Sequence, residues 1–224
     1  MNFYYSYDQK NLITAISNSI KNFDDNYWLK CDHEAAFPHD FVKTLANGGW
    51  LGIAMPEKYG GSNLGVTEAA LMMMIIAEKG GMTAASSIHM NIFGPSALVK
   101  FASEKQKIKW LPKIISGETK MCFAVTEPDT GLDTTRLKAK AVKKNDYYII
   151  NGRKIWTSTA QITNKIMIIA RTSERNDKHP TQGLSLFYTD FNRDYIEARV
   201  IHKMGRAAVD SNELFIDNLK VPND

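Results

Sequence analysis

The apolar pattern of this chain changes period near residue 117, and that change constrains the fold more than any other feature. Up to Gly117 apolar residues recur at helical spacing; beyond residue 120 they alternate. Helical spacing lays a stripe along one side of a helix, whereas alternation lays one face of a strand against a core. In the first half, Ser6 and Gln9 form a capping box ahead of Leu12, Ile13, Ile16, Ile20 and Phe23. Pro38 fits the first turn of a helix whose buried side is Phe41, Val42 and Leu45, and Gly48 and Gly49 stop it. A turn-rich connector, residues 50–65, leads to a strongly apolar helix through Leu71, Met74, Ile75 and Glu78, ended by Gly80 and Gly81. Ser103 and Gln106 make a second capping box, opening a helix through Ile108, Trp110, Leu111, Ile114 and Ile115.

In the second half Leu137, Ala139 and Ala141 face one way and Lys138 and Lys140 the other, as in a half-buried strand. Residues 147–150, then Asn151-Gly152, then residues 153–156 predict a hairpin, because Asn-Gly suits the two-residue turn that follows strand twist. Residues 165–171, 184–189, 196–200 and 213–221 add further short strands, with a polar loop at 173–182. The fold class expected is α+β in two domains. An all-α helical bundle over 1–117 precedes an antiparallel β-barrel or sandwich over 118–224.

Composition removes several classes of function. Basic and acidic residues number 28 and 24, and the lysines are scattered, so nucleic-acid binding is not expected. Lys138, Lys140, Lys143 and Lys144, the densest group, read as the wet face of a strand. The longest apolar run, residues 69–77, is too short to span a membrane. The first residues are Asn-, Tyr-, Asp- and Gln-rich rather than basic then apolar, so no secretory signal is expected. Cys31 and Cys122 lie far apart with no ligand-spaced partner, which argues against a disulfide or zinc site and for a reducing, cytoplasmic compartment. Met72 to Met74 read as gap-filling core, and His89 as a hydrogen-bonded helix residue rather than a catalyst.

The stretch with most chemical promise is MCFAVTEPDTGLD, residues 121–133. Its apolar run from Met121 to Val125 passes into Thr126 and Glu127 and a loop with Pro128, Asp129 and Gly131. A strand end delivers backbone groups and a hydroxyl to one place, and Gly131 could take positive φ and let the backbone approach a ligand. Taken alone the pattern also fits an ordinary hairpin. It resembles, however, the flavin-binding signature of acyl-CoA dehydrogenases, and NGRKIWTS, residues 151–158, resembles the next signature of that family's middle domain. PEKYGGS within the connector and the tail from His202 to Pro222 also resemble family segments.

The resemblance implies FAD as cofactor and oxidation of an acyl-CoA to the trans-2-enoyl-CoA in fatty acid metabolism, with an electron-transfer flavoprotein as acceptor. It implies that Phe123 and Val125 present backbone groups to the flavin ring, that Thr126 hydrogen-bonds it, and that Trp156 covers one ring face. Thr157 and Ser158 match a small polar pair near the reactive nitrogen. Without the resemblance Trp156 reads as an aromatic anchor in the β core. Leu132 stands where the family often has a Ser that reaches cofactor phosphate or substrate, so substrate contact there is altered. No residue of this chain is assigned as catalytic: the family's base is a Glu on a C-terminal helical domain, and Glu127 does not match it. The resemblance stops with the chain, which is therefore expected to be a two-domain fragment or split subunit, inactive alone. A partner or further domain would cover its apolar surface. Alternatives are an acyl-CoA oxidase or flavin monooxygenase relative, or a non-catalytic partner-binding subunit.

Overall fold

The computed structural model describes residues 4–223, which fall into two units. One holds residues 4–120 with 203–209; the other holds residues 121–202 with 210–223.

The first unit is helical: α1 (Tyr7–Ile20), α2 (Asp25–His33), α3 (His39–Asn47), α4 (Val66–Phe93), α5 (Ser96–Phe101) and α6 (Glu104–Ile115). Both capping boxes form, with Ser6 Oγ accepting from Gln9 N at 3.2 Å and Ser103 Oγ from Gln106 N at 3.3 Å. Each satisfies a backbone donor that the first helical turn leaves open. Ile16, Phe41, Leu45, Leu51, Met72 and Ile76 are buried at the centre. The expected stop at Gly80 and Gly81 is present as a kink between two helical stretches. Gly81 takes φ 64° and ψ −169°, after which helical backbone resumes to Phe93. At Gly80 a Cβ would lie 2.7 Å from the Trp28 ring, so glycine there lets Trp28 pack against the helix. The methionine run is core only in part, since Met72 is buried but Met74 is exposed. Segment 203–209 belongs to this unit: Arg206 Nη1 donates to Ser86 Oγ at 2.8 Å, and Ala208 and Val209 are buried.

The second unit is a sheet of seven strands among the described residues: β1 (Met121–Ala124), β2 (Lys140–Lys144), β3 (Tyr147–Ser158), β4 (Lys165–Arg171), β5 (Leu184–Asp190), β6 (Ile196–Val200) and β7 (Ser211–Pro222). One edge of β4 carries β5; the other carries β1 and then β2, which leads on through β3 and β7 to β6. A helical half followed by a β half is as the sequence predicts, but the sheet is mixed rather than strictly antiparallel. β1 pairs with β4 in parallel, Phe123 opposite Met167, because the chain returns through the long β2–β3 excursion instead of a tight turn.

The expected hairpin at Asn151-Gly152 does not form. β3 runs unbroken through both residues, and the turn lies at Asn145 and Asp146, where Asn145 takes φ 51° and Lys144 pairs with Tyr147. Gly152 is there for space, because a Cβ on it would come within 2.5 Å of the Ala139 Cβ. Ile150, Ile166, Ile168, Leu214 and Leu219 fill the core of this unit.

Candidate functional site

The end of β1 and the second half of β3 run side by side, joined where Ile155 N donates to the Thr126 carbonyl at 2.9 Å. Here β3 carries an extra residue relative to β7: Lys154 is opposite Leu214, but Thr157 is opposite Asn212. Such a bulge shifts the alternation of side chains by one position. Before it, Ile150 and Lys154 point inward; after it, Thr157 does. Trp156, which unbroken alternation would send into the core, is 58% exposed and takes φ 61°. The core-anchor reading of this tryptophan is therefore set aside by the bulge.

Thr157 is buried, and its Oγ1 has no hydrogen-bond partner among the described residues. Its carbonyl accepts from the buried Asn212 Nδ2 at 3.0 Å, which fixes the backbone around it. Ser158 and Phe123 are half-buried, as are Val125 and Thr126 at the strand end. The structure thus brings Phe123, Val125, Thr126, Trp156, Thr157 and Ser158 onto two neighbouring segments. Leu132 stands apart, fully exposed on the loop that follows β1.

That loop is closed by reciprocal backbone bonds between Glu127 and Thr130, each 3.0 Å. Gly131 lies outside the closure and does not take the positive φ that the sequence suggested. What secures the loop is a buried charge pair that sequence reasoning missed. Lys154, fully buried, donates from Nζ to Glu127 Oε1 at 3.0 Å, the Val125 carbonyl at 2.9 Å and the Ile169 carbonyl at 2.7 Å. Three acceptors match the three donors of an ammonium. Glu127, also buried, accepts from the backbone N–H groups of Lys138 at 2.6 Å and Ala139 at 2.9 Å. Burial pushes the Lys154 ammonium below its ordinary range while the Glu127 carboxylate pulls it back up. The sequence did carry a signal: Lys154 shares the parity of Ile150, and a lysine on the inward face of a strand requires a partner.

A second buried cation, Arg171 at the end of β4, donates to the carbonyls of Leu137 at 3.0 Å, Gln182 at 3.2 Å and Pro180 at 3.1 Å, and also to that of Thr135. It ties together the loops that precede β2 and follow β4. In the helical unit, His89 Nδ1 lies 2.8 Å from the Ser86 carbonyl, a helix-internal contact as expected.

The family profile described as acyl-CoA dehydrogenase, N-terminal domain, matches residues 6–118, and the one described as acyl-CoA dehydrogenase, middle domain, matches residues 122–219. The chain belongs to the acyl-CoA dehydrogenase family. Among acyl-CoA dehydrogenase relatives, glutaryl-CoA dehydrogenase of Desulfococcus multivorans is 31% identical over 222 residues, covering 96% of this chain and 55% of that protein. Mitochondrial isovaleryl-CoA dehydrogenase of Pongo abelii is 34% identical over 185 residues, covering 82% and 43%. The structure of a glutaryl-coenzyme A dehydrogenase in complex with glutaryl-CoA superposes with a TM-score of 0.90 at 29% identity, over 99% of this chain and 56% of that one. The chain spans about half the length of the acyl-CoA dehydrogenases that it matches.

Proposed function

We propose that this chain is the flavin-holding part of an FAD-dependent acyl-CoA dehydrogenase that oxidises an acyl-CoA to the trans-2-enoyl-CoA. The observation that carries the reading is the bulge in β3, which turns the Trp156 indole outward beside the end of β1, with Thr126 and Ser158 half-buried on the same two segments. The donor set fits a flavin. Backbone groups of Phe123 and Val125 with the hydroxyl of Thr126 suit the alternating donors and acceptors of its pyrimidine edge, without adding charge there. Trp156 offers a flat apolar face for the ring, and Ser158, next to Thr157, offers a hydroxyl near its reactive nitrogen.

A flavin bound here would supply the acceptor for a hydride from the substrate β-carbon. The α-proton must leave to a base at the same time, and in this reading the base comes from further polypeptide, as the resemblance implies. Exposed Met82, Phe101 and Ile108 support an apolar contact with such a domain or with a partner chain. An electron-transfer flavoprotein is the acceptor we favour; one relative, 28% identical over 223 residues, is a caffeyl-CoA reductase-Etf complex subunit of Acetobacterium woodii. The buried, unbridged thiols of Cys31 and Cys122 support a reducing compartment such as the cytoplasm. Among the described residues, no helix is long and apolar enough to cross a membrane.

The test is visible absorbance of the chain after incubation with excess FAD and desalting. Retained flavin, lost in Thr126→Ala and Trp156→Ala, is the expected result. A folded chain that keeps no flavin, or variants that keep as much as the parent, would sink the reading.

A further inference from the structure

The buried lysine of β3 does more in this arrangement than balance a carboxylate. Its Nζ lies 2.9 Å from the Val125 carbonyl, and that carbonyl shares a peptide unit with the Thr126 N–H. The next carbonyl, that of Thr126, is already taken by Ile155 N at 2.9 Å. The bend after β1 therefore has both carbonyls occupied from inside the unit. The Thr126 N–H makes no hydrogen bond among the described residues. A cation on one end of a peptide unit polarises it and strengthens the donor at the other end, and the effect is large where water is excluded. Lys154 is fully buried and Glu127 is 5% exposed, so solvent screens neither charge.

Resting on the flavin reading above, we propose that Lys154 is a positioning residue that polarises the Val125–Thr126 peptide toward the flavin. It makes the Thr126 N–H a stronger donor to the pyrimidine edge when that edge gains negative charge on reduction. Glu127 sets how much of the lysine charge is felt. The pair holds the peptide plane through Nζ and holds the following loop through the Lys138 and Ala139 N–H groups.

The proposal gives opposite signs for the two partners. Titrating the chain with oxidised and reduced FAD measures the preference for reduced over oxidised flavin. In Lys154→Met that preference falls by about tenfold, the surplus of a charge-assisted hydrogen bond over a neutral one. In Glu127→Gln, where the ammonium stays but its counter-charge is gone, the preference rises. Lys154→Arg, which keeps a cation in place, moves it least. Removing one member of a buried pair can unfold a protein, whereas removing both charges at similar volume is often tolerated. The double variant Lys154→Met/Glu127→Gln therefore stands in if a single variant does not fold, and it too shows a lowered preference. Shifts of the same sign in both single variants, or flavin bound with an unchanged preference, would overturn the proposal and leave the flavin reading intact. So would a folded double variant that binds no FAD, because the pair would then act by holding backbone alone. If the unaltered chain binds no FAD in either state, the flavin reading itself fails and this proposal fails with it.

Discussion

Thr157 carries the sharpest local cost at the scale of single residues. Its hydroxyl is buried and unpartnered among the described residues, so Thr157→Val should remove a penalty and stabilise the chain by about 1 kcal/mol. Thermal melts check this; a destabilised valine variant would mean that the hydroxyl has a partner. His89 gives a pH dependence. Burial pushes its imidazole below the ordinary 6.5, with the nearby Arg206 adding to the shift and the Ser86 carbonyl opposing it. The folded state then resists a proton that the unfolded state accepts, so stability declines as pH falls through the unfolded value. His89→Gln should flatten that decline between about pH 7.5 and 5.5 in urea midpoints. The resemblance pointed to Thr126, Trp156 and Thr157, which the fold brings onto two neighbouring segments. Lys154 was not legible, because a lysine in a charged-looking strand reads as solvated until its parity is compared with Ile150 and its partner is found twenty-odd residues back.

At the scale of elements, sequence signals failed where two elements press on one residue. Asn151-Gly152 has the chemistry of a turn, but β3 is held on one edge by β2 and on the other by β7, and two ladders outweigh one local preference. The glycine serves instead the close pass of Ala139. Gly152→Ala should cost about 1–3 kcal/mol, as overpacking does, and Ala139→Gly in the same chain should recover only part of it, because the new Cβ would still lie 2.8 Å from the backbone Cα of residue 139. Equal melting temperatures for parent and Gly152→Ala would show that the two segments have room to spare. Two short strands were read closely: β4 (Lys165–Arg171) and β6 (Ile196–Val200) span the residues expected from the sequence. The parallel pairing of β1 was not legible, since periodicity shows a strand's buried face but not the direction of its neighbour.

For the whole molecule, the controlling feature is that the helical unit is not one continuous stretch. Residues 203–209 leave the sheet, bond to Ser86 and Asp32, bury Ala208 and Val209 and return to start β7. The change of period near residue 117 marked where helices give way to strands. It could not reveal this return, which is too short to show a period. Neither unit can lose its structure without pulling on a segment that the other continues, so calorimetry should give a single melting transition for the chain. Two resolved peaks would mean that the segment lets go first and independently. The same return bears on descent. A recombination event that joined two relatives only at residue 120 would lay one parent's 203–209 against the other parent's helices. A silent exchange of the helical unit needs three junctions, and so the two halves of this chain are expected to have been inherited together.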